Sequence, residues 1–361
     1  MNGWAAGLVQ AAGGLLLIGL VLWDIFQTVV LPRPAPTRVR IARNLIRVTW
    51  PLWRWRALQR TSSLDQEKLL GSYAPATVLI LLITWILVVV VGFGLLLYSL
   101  RDGLAPVPDF GSVLYYAGTS VLTIGFGDIT ATHGLARLVS VVAGGLGLGI
   151  LALGITYLFS LYGSFQRREI LVVRLEARAG APPSGIRLLE SYGAKDLRPG
   201  LASFFLEWEA WAAEVLDTHV AYPILPYFRS SHDNASWVSS LGAVLDASAL
   251  VLTAIEDGPT GEATMVQRVG GHFVEDLSNF FGWRNVPMAL VERSEFDAAC
   301  ERLSAAGWRI RKEDDAWKAF VALRSEYAAR LNQMALYWVT PPALWIGDRG
   351  AVRHMPPVGS S

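Results

Sequence analysis

Residues 123 to 128 read Thr-Ile-Gly-Phe-Gly-Asp, and a short amphipathic run, Asp109 to Leu122, leads into them. The chemistry that this spacing suits is the holding of a dehydrated cation by backbone oxygen. A cation stripped of water needs replacement oxygens. Main-chain carbonyls supply them only where the chain is extended with successive C=O groups aimed the same way. Gly125 and Gly127 make such a backbone possible, because a residue without a Cβ enters conformations closed to the others. The carbonyls of Thr123, Ile124, Gly125 and Phe126, with the Thr123 hydroxyl, would then stack as rings of oxygen. The Ile124 and Phe126 side chains are expected to point backwards, against the preceding helix. Asp128 is expected to accept hydrogen bonds behind the outer end.

Six residues of this kind also occur in soluble turns, so the flanking elements decide the reading. Leu8 to Leu31, Ala74 to Leu100 and Leu138 to Leu161 are mostly apolar. Each is long enough to cross about 30 Å of hydrocarbon as a helix. The 361-residue chain is 53% hydrophobic and 17% charged, with 14 Trp and a mean hydropathy of +0.38. That is the composition of a membrane protein that also carries a soluble part. The first stretch lacks a basic leading region and is too long for the core of a secretory signal, so it reads as a span. Between it and the second, residues 33–72 hold eight Arg and one Lys against Asp65 and Glu67, a net charge of +7. By the positive-inside rule that loop is cytoplasmic. The N-terminus and the Asp128 end of the filter are then outside, in what reads as a bacterial inner membrane.

The motif, its leading run and the span that follows, about residues 109 to 150, resemble the tetrameric potassium channels. The Gly-Phe-Gly variant is similar to the filters of two-pore-domain channels. The resemblance implies an all-α membrane protein with three transmembrane helices, a re-entrant pore helix and filter, and a cytosolic helical domain. It implies passive, potassium-selective conduction by a homotetramer, since one chain supplies one pore loop and a ring of carbonyls needs four. K+ is then the permeant ion, with no cofactor and no enzymatic role. Thr123, Ile124, Gly125 and Phe126 would coordinate the ion, and Gly127 and Asp128 would support the filter. Thr119 stands where some members carry a carboxylate that pairs with the aspartate. Tyr115 and Tyr116 fall where the family has an aromatic cuff, and read equally as packing aromatics. Gly147, about 20 residues beyond the filter, sits at the distance of a gating hinge or serves close helix packing. The alternatives are a weakly selective monovalent cation channel, or a membrane receptor or scaffold with a non-conducting pore.

The chain thus divides into a first transmembrane helix (1–32), a basic interfacial segment (33–72), an outer pore helix (73–100), and a pore helix with filter (104–130). An inner pore helix (135–164), a linker (165–185) and a cytosolic helical domain (186–361) follow. In the basic segment Arg38, Arg40, Arg43 and Arg47 interleave with apolar residues, and Trp50, Trp53 and Trp55 follow. That pattern suits a helix in the headgroup layer, with anionic lipid as the expected partner of residues 33–60 and no nucleic acid. Asp24, inside the first span, is expected to meet an arginine of this segment.

From residue 165 the net charge is −4 and the periodicity is helical. Leu201 to Val215, Trp237 to Ile255 and Phe320 to Tyr337 mark three helices. The second is apolar enough to raise a fourth span, but Asp246, its serines and its length favour a buried bundle helix. His219, Arg229, His232 and Asp233 surround Tyr222-Pro-Ile-Leu-Pro-Tyr-Phe228. They read as the capping groups of a turn ahead of a ligand or proton sensor. Cys300, the single cysteine, excludes an intrachain disulfide. No nucleotide fingerprint, paired-cysteine zinc pattern or nucleophile elbow stands out, so the regulator of this domain is not legible.

Overall fold

A computed structural model describes residues 3–31, 41–194, 197–232, 234–283, 291–311 and 315–345. Arg38, Arg40 and Asp233 lie outside them. The chain forms two compact units, Met1–Tyr162 and Gly163–Ser361.

In the first unit, α1 (Gly3–Ile25) passes into a π-helical turn at Phe26–Val30. It packs on α3 (Ser63–Ser99) through two glycines: a Cβ on Gly14 would come 2.5 Å from the Gly92 carbonyl oxygen. Small residues allow such approach where both partners are bathed in lipid and apolar burial offers no preference. Between them, α2 (Ile41–Leu58) is fixed by its aromatics. The Trp50 and Trp53 rings stand edge-on to Tyr73, and the Trp53 indole donates to the Leu69 carbonyl at 2.8 Å. Its other face exposes Val48, Leu52 and Trp55. The helix α3 begins earlier than the apolar run that marks it, because the Ser62 hydroxyl accepts from the Asp65 amide and caps a polar first turn. Residues 63–72 therefore belong to α3, which moves the expected boundary of the basic segment.

Among the described residues, three helices are long and apolar enough to cross a membrane: Trp4–Val30, Ser63–Ser99 and Gly134–Ala179. The last, α5, is continuous through the expected 164/165 boundary. The packed interior of the first unit is Trp85, Val89, Phe93, Leu97, Val113, Ala117, Val121 and Ala143. Leu16, Leu79, Ile83, Leu87, Leu138 and Val141 face outwards, the arrangement expected of a protein whose solvent is hydrocarbon.

Asp24 is buried and meets different donors from those expected. The Trp85 indole and the Ile41 amide each donate to it at 2.8 Å, where an arginine of the basic segment was expected. Two directed N–H groups satisfy a carboxylate in a low-dielectric setting without importing a second charge.

The second unit holds the end of α5, then α6 (Gly185–Ala194), α7 (Leu201–Ala221), α8 (Trp237–Thr253) and α9 (Thr260–Phe281). It continues with α10 (Arg293–Ala305), α11 (Ala316–Ser325) and α12 (Ala328–Trp338). The helix α8 is buried along almost its whole length, so it is the core of this bundle and not a fourth span. Its Asp246 accepts from Arg324 at 2.9 Å and from the Tyr327 hydroxyl at 2.7 Å, both buried. The single helix expected over Phe320–Tyr337 is two. Tightened bonds from the Glu326 and Tyr327 amides to Leu323 and Arg324 break it, and the turn lets both Arg324 and Tyr327 reach Asp246.

Candidate functional site

The helix α4 (Phe110–Val121) starts at Asp109, whose carboxylate accepts from the Ser112 amide at 2.7 Å. That backbone bond holds the Asp109 carboxyl below the usual range. Val113, Ala117 and Val121 lie at three- and four-residue steps and seat α4 in the core. Tyr116 ties it to α5 through a 2.9 Å hydrogen bond with the Ser140 hydroxyl. The C-terminus of α4 falls two residues before Thr123, so the negative end of the helix dipole lies at the start of the motif, where it favours a cation.

From there the backbone alternates. Thr123, Gly125 and Gly127 have φ of 56°, 60° and 84°. Left-handed conformation at every second residue lets successive carbonyls turn to one side of an extended chain. The two glycines were expected there; Thr123 was not, and nothing in its residue type announces a positive φ.

Hydrogen bonding along this segment is one-sided. The amide of Thr123 donates to the Ser120 carbonyl, and those of Ile124 and Gly125 both donate to the Thr119 carbonyl, at 2.8 and 3.2 Å for the last two. Among the described residues, no hydrogen bond within the chain reaches the carbonyls of Thr123, Ile124, Gly125 or Phe126. Donors are tied back into α4 and acceptors are left open, and residues 122–128 are exposed throughout. Thr119 contributes through its carbonyl, while its hydroxyl donates to Tyr116.

The Phe126 ring lies parallel to Tyr115 on α4, with centroids 6.2 Å apart. Ile124 is exposed in the single subunit. The Tyr115 phenol also lies near the Asp128 carboxylate. Tyr115 therefore stands beside the segment's outer half, a proximity that spacing alone did not indicate.

Beyond Asp128, a short strand β2 (Thr130–Ala131) pairs antiparallel with β1 (Leu104–Ala105), and the Thr132 amide donates to the Gly103 carbonyl at 2.8 Å. The segment is thus anchored at entry by α4 and at exit by the end of α3. Behind its inner end, Val121, Leu122, Thr123, Gly147 and Leu151 help line a cavity of about 50 Å³. Gly147 lies against α4 so closely that a Cβ there would overlap the Val121 carbonyl, and α5 runs through it unbroken.

Residues 72–163 match a family described as "Ion channel". That range runs from within α3 through α4 and the motif into α5. Over 200 residues the chain is 22% identical to an uncharacterized membrane protein, YdjJ, of Bacillus subtilis (strain 168). The match covers 54% of this chain and 57% of that protein, so the chain spans little more than half its relative's length. No solved structure matches.

Proposed function

We propose that the chain is the subunit of a potassium-selective ion channel that conducts passively as a homotetramer. The observation that carries this reading is the asymmetry at residues 123–126, where amides are bonded into α4 and consecutive carbonyls have no partner. Unpaired backbone acceptors inside a membrane protein are costly unless something else satisfies them, and a desolvated cation is what four converging sets would hold. The ion-channel likeness over residues 72–163 supports the same conclusion. In this reading Thr123, Ile124, Gly125 and Phe126 coordinate K+, while Tyr115, Thr119, Gly127 and Asp128 hold the filter's shape. The basic loop lies in the cytoplasm and the Asp128 end outside, and the 41–58 helix rests on anionic headgroups through its arginines and exposed apolar face. Gly147 acts through its close seat against α4, where any bend of α5 would be felt by the filter's support. The test is ion flux from proteoliposomes made with the purified chain. Potassium and rubidium efflux with sodium retained is expected. Equal sodium efflux would contradict selectivity, and an absence of all flux would contradict the channel.

A further inference from the structure

Asp24 lies near the end of the first long apolar helix, where a carboxylate is costly and marks a functional position by default. Its two oxygens are held by two different elements. Oδ1 accepts from the Ile41 amide, which opens α2, and Oδ2 from the Trp85 indole on α3, each at 2.8 Å. Asp24 thus caps the start of α2 from another helix, at the positive end of the α2 dipole. The Trp85 ring in turn stands 6.4 Å from the Tyr157 ring of α5, and all three side chains are buried. One turn away, a Cβ on Gly154 would come 3.2 Å from Leu82 Cδ2, so α5 sits closely on α3 at this level. One carboxylate therefore joins the first amide of α2 to the aromatic contact near the end of α5's apolar run. Just after Asp24, Phe26–Val30 is a π-helical turn in which the Leu31 amide reaches back to the Phe26 carbonyl at 3.0 Å. The buried Thr28 hydroxyl in it has no partner among the described residues. Such a turn differs from α-helix by one residue of register, so a second arrangement lies close to this one.

The exposed side of α2 determines what can act on this link. At about 100° per residue, Val48, Leu52 and Trp55 form an apolar strip, bordered by Arg43 and Arg47 on one edge and Arg56 on the other. Apolar side chains flanked by guanidiniums suit the surface of an anionic bilayer. We propose that anionic lipid under α2 regulates the chain through Asp24. A displacement of α2 moves the Ile41 amide against the carboxylate, and the Trp85 indole on its other oxygen carries that change to Tyr157 and α5. The effect on conduction rests on the channel reading; the response of α5 is measurable without it.

The experiment reconstitutes the full chain in phosphatidylcholine, with and without phosphatidylglycerol, and takes two readouts. They are hydrogen exchange of the amides at residues 153–161 and rubidium efflux. Both are expected to differ about fivefold or more between the two lipids, the size of an ordinary coupling between sites. Asp24→Leu removes the acceptor, and Trp85→Phe removes the indole donor while keeping a ring beside Tyr157. Each should bring both lipid ratios to within about twofold of one, with the parent's preference for rubidium over sodium kept. Arg43→Gln combined with Arg47→Gln leaves the Asp24 bonds in place and should reduce the ratios likewise. Because those arginines are exposed, this variant decides the matter even where the buried ones fail to fold. Equal exchange at residues 153–161 in the two lipids overturns the proposal, whether or not ions flow. So does a parental lipid ratio in the arginine variant or in both buried ones. Lipid-dependent exchange without any efflux would support the coupling and contradict the channel reading alone.

Discussion

Residues 123–128 and the Asp246 cluster treat their polar groups in opposite ways. In residues 123–126 the main-chain carbonyls are left without partners and exposed, while the Thr119 carbonyl takes the Ile124 and Gly125 amides and the Tyr115 ring lies along Phe126. Around Asp246 the backbone is ordinary helix and the acting atoms are side chains, buried and paired with Arg324 and Tyr327, 78 and 81 residues away in sequence. Under the proposed function, binding power at the first site comes from withholding partners; rigidity at the second comes from supplying them. Substitutions that act on backbone shape should therefore damage one region, and those that act on charge pairing the other.

The largest separation is expected from Gly125→Ala and Gly127→Ala. A Cβ at either position meets nothing within 4 Å, so the penalty is conformational and not steric. Left-handed backbone costs a residue with a Cβ about 1–2 kcal/mol, repeated in every subunit. Flux should be abolished while cross-linking still traps the same oligomer; selective flux in both variants would break the comparison. Next comes Arg324→Leu, which strands Asp246 in the core of α8 and should lower the second unit's stability to urea by about 3–5 kcal/mol. Adding Asp246→Leu should recover part of that loss. If the single variant unfolds no more easily than the parent, the cluster is not a stabilising pair.

Gly147→Ala tests a glycine needed for space, in contrast to the filter glycines needed for φ. The clash with the Val121 carbonyl should cost about 1–3 kcal/mol of thermal stability in detergent. An unchanged melting temperature would show that α5 is free to move away from α4. The smallest effect is a pH dependence. His219 is buried against Arg168 at 3.2 Å, and burial, then that guanidinium, hold the imidazole well below its ordinary value. Below about pH 6.5 the unfolded chain takes a proton that the folded one refuses, so stability is retained above that pH and lost as pH falls. The slope is at most about 1.4 kcal/mol per pH unit, and His219→Gln should flatten it.

Legibility in the sequence followed the same division. The positive φ at Gly125 and Gly127 could be read because alternating glycines act within six residues, and a backbone rule needs no knowledge of distant partners. The three spans were readable because hydrocarbon imposes a minimum length on any crossing helix. The burial of α8 followed from Asp246 and the short apolar run. What escaped was set by contacts at long sequence separation. Asp24 found Trp85, 61 residues on, in place of a nearby arginine. The nearness of Tyr115 to Asp128 depends on how residues 123–128 fold back on α4. The break between α11 and α12 leaves no Pro or Gly at residues 326–327 to mark it.

The most direct test of the central claim is the reversal potential of the purified protein in planar bilayers, with potassium on one side and sodium on the other, before and after barium. The account predicts reversal near the potassium equilibrium potential and block by barium. Reversal near zero would contradict it.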